Sequence, residues 1–356
     1  MTFRSRVKSP AFAVLIAATL AFLGYTQSIM GAIGFLLVFG VPYFSMREMP
    51  AYASFQERLW EYCFLTICTF IFIFLITPIL VIMPLSFNAE PYFTFTDGML
   101  ALDSSAYSLR WYEDIFKFGM TAPNAEGPGW WTDMWNNSVW IGAFRNSFFI
   151  AIMATLLATA FGTLAALGLS RREMPFRTAI TSLLISPMIV PLVITATGMF
   201  FFYAKKNVFP FYPDGLVNTY IGLILAHATL GVPFVIITVT ATLTGFDQSL
   251  IRASQGLGAS GFTTFRKVIM PLILPGMISG ALFAFITSMD EVVAVIFLAD
   301  VDQRTIPRQM FSGIREQISP TILAVATVLV LLSIALLTTI ELLRRRTERL
   351  RGLSPG

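Results

Sequence analysis

Two adjacent carboxylates interrupt an otherwise apolar part of this sequence. Asp290 and Glu291 lie within the segment SGALFAFITSMDEVVAVIFLAD. A charged side chain costs about 2.5 to 3.5 kcal/mol at the centre of a bilayer on insertion scales, so both groups should face a polar cavity or a partner rather than lipid. Neighbours on a helix point about 100° apart, so only one of the two faces such a cavity squarely. The pair indicates either an anionic site for a cationic solute or a structural role, such as pairing with a partner subunit.

Other residues that could do chemistry are few. The chain has one histidine and two cysteines, which gives little support for a metal site or a Cys–His nucleophile pair. His227, in LILAHATLG, either relays protons or makes one hydrogen bond between helices. Cys63 and Cys68 would point to different faces of one helix, so we expect apolar fillers and no disulfide. The sequence also lacks a G-x-x-x-x-G-K-[ST] loop for ATP phosphates. We therefore expect no bound cofactor, no metal and no catalytic residue, and the chain is predicted not to be an enzyme.

The elements that position these residues are predicted to be transmembrane helices. Apolar residues make up 56% of the 356 residues and charged residues only 12%, a balance typical of an integral membrane protein. A span needs about 20 apolar residues to cross a hydrocarbon core of about 30 Å. The first candidate run, after Arg4, Arg6 and Lys8, is alternatively a signal peptide, although no convincing small-residue cleavage site follows it. Eight candidate spans lie near 10–26, 28–44, 63–85, 147–169, 178–203, 220–243, 273–298 and 321–342.

Lysine and arginine divide unequally between the two sides of these eight spans. One side holds 16 and the other 8, and because basic residues gather on the cytoplasmic side of membrane proteins, both termini are predicted to be cytoplasmic. The net charge of +4 then reflects topology, and since the cations are dispersed at span ends, nucleic acid is not an expected partner. The segment 86–145 is external on this topology. Its tryptophans and tyrosines form either an aromatic belt at the lipid headgroups or a docking surface for an external partner.

The loop at 244–272 is a polar interruption between two predicted spans on the cytoplasmic side. Asp247 is a good N-cap for a helix over about 248–256, because its carboxylate can accept hydrogen bonds from free backbone N–H groups. Gly256 and Gly258 then break that helix. The pattern predicts a short helix across the membrane face, followed by a glycine corner.

A second helix is predicted after this corner. Ser260 is its expected N-cap, and Pro271 stops or kinks it. Such an element either fits a groove on a cytoplasmic partner or is an ordinary amphipathic loop at the interface. The second helix carries an apolar stripe and two cations directed toward solvent, which are Phe262, Phe265 and Ile269, and Arg266 and Lys267.

This loop resembles the EAA loop of ATP-binding-cassette importer permeases, whose pattern is Glu-Ala-Ala, three residues, Gly, nine residues and Ile-x-Leu-Pro. Counted from Arg252, Gly258 and Pro271 fall in register with that pattern. Two residues depart from it, because Arg252 stands at the usual Glu and Ser254 at the usual second Ala. The resemblance implies an ATPase-coupling loop whose residues are Asp247, Arg252, Ala253, Ser254, Leu257, Gly258, Ala259 and Pro271.

The resemblance extends to the spermidine/putrescine group of these permeases and covers roughly residues 63–345. It is carried by SFN at 86–88, by SLRWYEDIF at 108–116, and by SGALFAFITSMDEVVAVIFLAD and TIPRQMFSGIREQISPTILAVAT. We therefore expect an all-α integral membrane protein with about eight transmembrane helices, in which an N-terminal helical hairpin precedes a six-helix permease core. The expected parts are the hairpin with a cytoplasmic linker (1–62), the permease domain (63–345) and a basic cytoplasmic tail (346–356).

The resemblance also implies partners and a mechanism. In this family two permease subunits form the pathway, two cytoplasmic ATPases that use ATP grip one EAA loop each, and a periplasmic binding protein delivers the solute. This chain would thus lie in the bacterial inner membrane beside a second permease subunit, which is either a paralogue, as the resemblance favours, or a second copy of this chain. Gln248–Gly256 would be the coupling helix, and Asp290 and Glu291 would line the pathway of a small cationic, polyamine-like solute. Three prolines are candidate bending points or static packing features, which are Pro187, Pro191 and Pro275.

Two other classes of protein are alternatives. An ion-coupled secondary transporter acting without an ATPase would need inverted repeats and a relay of several ionisable residues, and the sequence offers only Asp290, Glu291 and His227. An intramembrane enzyme would need convergent nucleophile, base or metal groups, which the sequence does not assemble. An ATPase that copurifies with the chain would favour the importer, whereas proton-driven uptake by the chain alone would favour the secondary transporter.

Overall fold

The computed structural model of the protein is helical throughout the part that it describes, apart from turns and two isolated β-bridges. The expected all-α membrane protein is therefore confirmed. The described residues are 14–21, 29–45, 54–171, 173–244, 249–316 and 319–350, of which 14–21 are helical. The further helices are α1 (Ile29–Ser45), α2 (Phe55–Leu85), α3 (Asp97–Leu100), α4 (Arg110–Lys117), α5 (Pro128–Asn137), α6 (Val139–Leu169), α7 (Arg177–Ile189), α8 (Leu192–Tyr203), α9 (Tyr220–Thr244), α10 (Ser249–Gly256), α11 (Gly261–Thr264), α12 (Met270–Asp290), α13 (Val293–Leu298), α14 (Ile306–Glu316) and α15 (Thr321–Leu350).

Four helical segments of the described chain are long and apolar enough to cross a membrane. A fifth span is formed if the bent pair α7 and α8 crosses as one. Two shorter apolar helices, Gly34–Ser45 and Thr321–Ala335, stand where the second and eighth spans were predicted. Most of the first predicted span lies outside the described residues. The four long segments are Phe55–Leu85, Val139–Leu169, Tyr220–Thr244 and Gly261–Asp290.

The predicted span at 178–203 is interrupted at a predicted bending point, because the chain bends by 104° between α7 and α8. Val190 is extended at φ −69° and ψ 137°, and Pro191 follows it. A residue before proline is pushed out of the helical region by the proline ring, and proline itself offers no N–H to continue the helix. Pro191 therefore marks a break in the span, while Pro187 lies inside α7.

The predicted span at 273–298 also ends earlier than expected. Helix α12 stops at Asp290, Glu291 is extended at φ −75° and ψ 120°, and the short helix α13 follows. The two carboxylates therefore lie where a transmembrane helix ends and not within a regular span.

Pro271 does not stop the helix in which it lies. The helical segment Gly261–Asp290 runs through it, and a π-helical turn at Phe265–Ile269 precedes α12. The N–H of Met270 donates to the carbonyl oxygen of Phe265, five residues earlier. π turns occur as single-turn irregularities inside longer helices, and here the π turn ends two residues before Pro271, so that the helix continues through the proline.

The chain divides into two compact units, Met1–Ser108 with Leu323–Gly356, and Leu109–Ile322. In the first unit the hydroxyl of Tyr62 on α2 donates to the carbonyl oxygen of Phe39 on α1 at 2.9 Å. After α2 the chain turns around the buried Asn88, whose Nδ2 donates hydrogen bonds to the carbonyl oxygens of Tyr92 and Thr94. This amide fixes the turn that follows the longest apolar helix of the first unit.

The core of the second unit is a three-helix contact between α6, α9 and α12. Small residues recur at every fourth position of α12 and face α9, so the two backbones approach closely. Membrane helices pack in this way because small side chains allow van der Waals contact between backbones. Gly162 on α6 meets Val235 of α9 in the same manner. The buried small residues of α12 are Gly276, Gly280, Ala284 and Ser288.

A methyl group at Gly280 is expected to destabilise the second unit by about 1 to 3 kcal/mol, the usual cost of overpacking. A Cβ at this position would lie 2.5 Å from Oγ1 of Thr238 and 2.7 Å from Cα of Val235, and the latter is backbone that cannot rotate away. Thermal unfolding of Gly280→Ala in detergent measures the loss. Gly198→Ala is the matched control, because a Cβ at Gly198 meets nothing within 4 Å; equal melting temperatures for the two variants would contradict this packing.

Candidate functional site

The segment predicted to couple to an ATPase forms a helix, a corner and a second helix. Helix α10 ends in a Schellman motif, in which the N–H of Gly258 donates to the carbonyl oxygen of Gln255 at 2.9 Å and that of Ala259 to Ser254 at 3.1 Å. Gly258 has φ +81°, a conformation that costs other L-residues about 1 to 2 kcal/mol. The corner therefore requires glycine for its backbone angle, since a Cβ there would meet nothing within 4 Å. Asp247, the predicted N-cap, lies outside the described residues.

The two helices of this segment are tied together by side chains. The hydroxyls of Ser254 on α10 and Thr264 on α11 share a hydrogen bond of 2.6 Å. Ser260 caps α11 by accepting from the N–H of Thr263 at 3.3 Å, which confirms the predicted cap. The serine that replaces the usual alanine of the EAA pattern thus has a structural role, because it anchors α10 to the buried Thr264.

The same segment presents a surface without a partner in the second unit. Leu257 is 89% exposed and Phe262 is 73% exposed. Phe262 therefore does not share one buried apolar stripe with Phe265 and Ile269, which are half-buried. Exposed apolar side chains beside cations are typical of an interaction surface. The other exposed residues of the segment include Leu250, Arg252, Ala253, Arg266 and Lys267, and the last two confirm the predicted solvent-facing cations.

The two candidate solute-binding carboxylates differ sharply in environment. Glu291 is buried, and its Oε1 accepts from the N–H of Ala294 at 2.8 Å. A carboxylate in this position caps the N-terminus of α13, where unpaired N–H groups and the helix dipole favour negative charge. Asp290 is exposed and ends α12. The structure thus gives Glu291 a structural partner and leaves Asp290 facing outward from the second unit.

A polar network that the sequence did not reveal fixes the chain around these carboxylates. Asn146 on α6 is buried, its Nδ2 donates to the carbonyl oxygens of Asp302 and Arg304, and its Oδ1 accepts from the hydroxyl of Tyr220. The last bond joins the N-terminal ends of α6 and α9. A lone asparagine near the start of an apolar helix is a signal for such a role, but the residues whose carbonyl oxygens it binds are more than 150 residues away in sequence.

Arg308 on α14 is the second residue of this network. Its Nη1 donates to the carbonyl oxygens of Ala299 at 2.8 Å and of Asp300 at 3.0 Å. These carbonyls follow the C-terminus of α13, where a cation is favoured. The short helix is therefore fixed at both ends, by Glu291 at its start and by Arg308 at its end.

His227 makes a contact between two helices of the core. Its Nδ1 lies 2.7 Å from the hydroxyl oxygen of Ser288 on α12, and the imidazole is buried. This contact favours the hydrogen bond between helices over the proton relay. Among the described residues there is also no cluster of three or more His, Cys, Asp and Glu side chains that could hold a metal ion, and Cys63 and Cys68 are not joined.

The segment before α6 contains a carboxylate whose role is structural. Asp133 accepts hydrogen bonds from the side chain of Asn137, from the N–H of Ala122, and from the N–H and hydroxyl of Thr121. These hydrogen bonds lower the pKa of Asp133 from 3.8 to about 2, and the bond from Asn137 has the largest effect. They close the loop between residues 121 and 133.

The Asp133→Asn substitution is expected to open this loop, so that the amide hydrogens of Thr121 and Ala122 exchange faster. A carboxylate with a depressed pKa contributes stability that is present above about pH 4 and lost as the pH falls toward about 2. Hydrogen exchange corrected for intrinsic rates should show this pH step in the wild type and not in the variant. Glu113→Gln is the control, since Glu113 pairs with Lys117 at the surface. Unchanged exchange in Asp133→Asn would contradict the assignment.

Comparison with known proteins gives a consistent result. Residues 158–349 match the family model described as "Binding-protein-dependent transport system inner membrane component". The chain is 30% identical, over 78% of its length and 95% of the relative, to the "Spermidine/putrescine transport system permease protein PotC" of Haemophilus influenzae. It is 28% identical, over 72% of its length and 82% of the relative, to the "Putrescine transport system permease protein PotI" of Escherichia coli (strain K12).

Similarity also extends to proteins for quite different solutes. The chain is 29% identical, over 62% of its length and 83% of the relative, to the "Sulfate transport system permease protein CysT" of Salmonella typhimurium. A solved bacterial ABC transporter "involved in the import of the acidic polysaccharide alginate" matches with a TM-score of 0.57 at 13% identity, over 82% of this chain and 99% of that chain. At this identity the match concerns the fold alone.

Proposed function

The chain belongs to the family of binding-protein-dependent transport system inner membrane components, the permease subunits of ATP-binding-cassette importers, and we propose that it forms the translocation pathway for a small organic cation of the polyamine type. The fold alone does not select the solute, because relatives named for spermidine, putrescine and sulfate share the family. The solute class therefore depends on the charges that this chain presents.

The observation that carries the transport proposal is the helix and corner at Ser249–Gly258. A cytoplasmic ATPase dimer would engage the exposed residues around Arg252, Leu257 and Phe262, and would supply the ATP-driven movement. The Schellman corner and the Ser254–Thr264 hydrogen bond make α10 and α11 one stiff element. A displacement of α10 is then transmitted to the continuous helix Gly261–Asp290, whose far end carries Asp290. Rigid-body movement of this kind is how alternating access is produced in many transporters.

The environment of Asp290 supports the proposal that the solute is a cation. It is the exposed member of the carboxylate pair, whereas Glu291 is occupied in capping α13. An exposed carboxylate at the end of an apolar helix offers a favourable partner to an ammonium group and an unfavourable one to sulfate. The relative named for spermidine and putrescine and the relative named for putrescine agree with that class.

The proposed assembly contains three further partners. Because the permease pathway of this family needs two subunits, a second permease, a paralogue, would complete it. A periplasmic binding protein would deliver the solute to the side of the membrane that bears Asp290. That assignment of sides uses the excess of basic residues, 16 against 8, which predicts cytoplasmic termini and a cytoplasmic α10.

Competition during uptake tests the solute class. Proteoliposomes that contain this chain with its second permease, its ATPase and its binding protein should take up labelled spermidine when ATP is present. Putrescine should compete, and sulfate and an uncharged diol of similar length should not. Competition by sulfate at similar concentrations, with no effect of putrescine, would contradict the cationic class and leave the family assignment standing.

A further inference from the structure

A cavity of about 390 Å³ lies in the second unit at the end opposite α10. Trp140, in the first turn of α6, lines it, and the Asn146–Tyr220 bond places the start of α6 beside the start of α9. The other end of α9 leads to α10, about 37 Å away at about 1.5 Å per residue. With α10 on the cytoplasmic side, as the excess of basic residues predicts, the cavity lies on the side of the membrane from which an importer receives its solute. Its volume is in the range of small-molecule sites, which is about 300 to 1,000 Å³.

One wall of the cavity is formed by the carboxylate of Asp114 on α4. Its Oδ2 accepts from the hydroxyl of Thr321 at 2.5 Å. The ion pairs recorded among the described residues of this unit join Lys117 to Glu113 and Lys206 to Asp214, so neither neutralises Asp114. The Asp114 side chain is half-buried, and a partly desolvated carboxylate without a counter-ion attracts a cation strongly.

The remaining walls suit an organic cation better than a metal ion. Phe118 and Trp140 contribute aromatic rings, which attract ammonium groups through the ring quadrupole and also contact methylene groups. Gln309 contributes an amide, and its Oε1 already accepts from Nη1 of Arg304 at 3.1 Å. A hard cation such as Mg²⁺ needs several oxygen ligands at short distance, and only one carboxylate is present here.

The geometry points to an entry site for the ammonium group of an organic cation in this cavity, with Asp114 as its counter-ion and Phe118 and Trp140 as its aromatic walls. The site is distinct from Asp290 and would receive the solute before it reaches the pathway. It deepens the proposed function, on which its place in transport rests. Its binding chemistry follows from the cavity itself and can be measured without transport.

Spermidine binding to the full-length chain in lipid nanodiscs tests this site by calorimetry. The background variant carries Asp290→Asn, so that the carboxylate of the pathway does not contribute. In that background Asp114→Asn should weaken spermidine binding about 10- to 100-fold, because an interaction with a charged group is worth about 1.5 to 3 kcal/mol. Asparagine keeps an oxygen that can accept from Thr321, so the fold should persist. Glu113→Gln, on the same helix, should leave the affinity unchanged.

A second variant keeps the test independent of the carboxylate. Phe118 is 46% exposed, so Phe118→Ala should fold normally and weaken binding about 2- to 30-fold through loss of the aromatic contact. Spermidine binding that is absent in the background variant, or unaffected by both substitutions, would overturn the site. Equal competition by Mg²⁺ would also overturn it, because the site would then be a metal-cation site. If Asp114→Asn loses binding while ATP-driven spermidine uptake is intact, the site stands as a binding site, its role in entry is overturned, and the proposed function is retained.

Discussion

The Gly258→Val variant should lose ATP-driven uptake while it reaches the membrane in normal amount. Gly258 has φ +81°, which valine adopts at a cost of at least about 1 to 2 kcal/mol. Relief of that strain breaks the two backbone hydrogen bonds of the corner, so α10 is no longer held in a fixed direction relative to α11. A movement of the ATPase would then displace α10 without being transmitted to the helix Gly261–Asp290. Uptake by proteoliposomes and the amount of protein in the membrane are the two measurements.

Two control variants test whether the effect comes from the backbone conformation at residue 258 and not from the loss of any glycine. Gly258→Asn should retain most uptake, because asparagine tolerates the left-handed conformation. Gly142→Ala, at a helical position where a Cβ meets nothing within 4 Å, should be neutral. Full uptake by Gly258→Val would show that the corner does not transmit the movement of the ATPase.

The Asp290→Asn variant should reduce uptake of spermidine at low concentration by about 10- to 100-fold, because it removes the charge that an ammonium group would contact. The side chain is exposed, so the variant should fold and melt as the wild type does. The apparent affinity should fall more than the maximal rate, since a uniform loss of binding raises KM.

The neighbouring Glu291→Gln variant should behave differently. Glu291 caps α13, so its loss should lower the melting temperature and leave the apparent affinity of the folded fraction close to that of the wild type. A larger fall in affinity for Glu291→Gln than for Asp290→Asn would reverse the assignment of the two carboxylates.

Much of the architecture can be predicted from local sequence. Apolar runs about 20 residues long predict membrane helices whatever their neighbours are, and Gly258 predicts the corner because the left-handed conformation is a property of one residue. Ser260 predicts a cap for the same reason, since its partner Thr263 is three residues away.

The errors occur where distant contacts decide the local structure. Asp290 and Glu291 are surrounded by apolar residues, which predicts a continuous helix, yet the helix stops at Asp290 and the distant Arg308 fixes the chain after α13. Asn146 lies more than 150 residues from Asp302 and Arg304 and 74 residues from Tyr220, so no local pattern indicates these contacts. Pro191 predicts a bend, but the sequence does not predict its angle of 104°.

The cavity at Asp114 shows the same limit for the site. Its walls come from α4, α6, α14 and the start of α15, and each contributes one or two residues that are unremarkable in sequence. Asp114 lies in the predicted external segment 86–145, whose sequence gives no sign that this carboxylate would line a cavity. A carboxylate becomes a binding group here because helices distant in sequence bring aromatic and polar side chains around it.

The energy source for uptake tests the central claim most directly. Proteoliposomes with the complete importer should accumulate labelled spermidine when ATP is enclosed with the ATPase, and should stop when the ATPase is omitted or a non-hydrolysable ATP analogue is used. Proton and sodium gradients should have no effect on proteoliposomes that hold this chain alone. Accumulation by this chain alone, driven by either gradient, would contradict the account and support an ion-coupled secondary transporter.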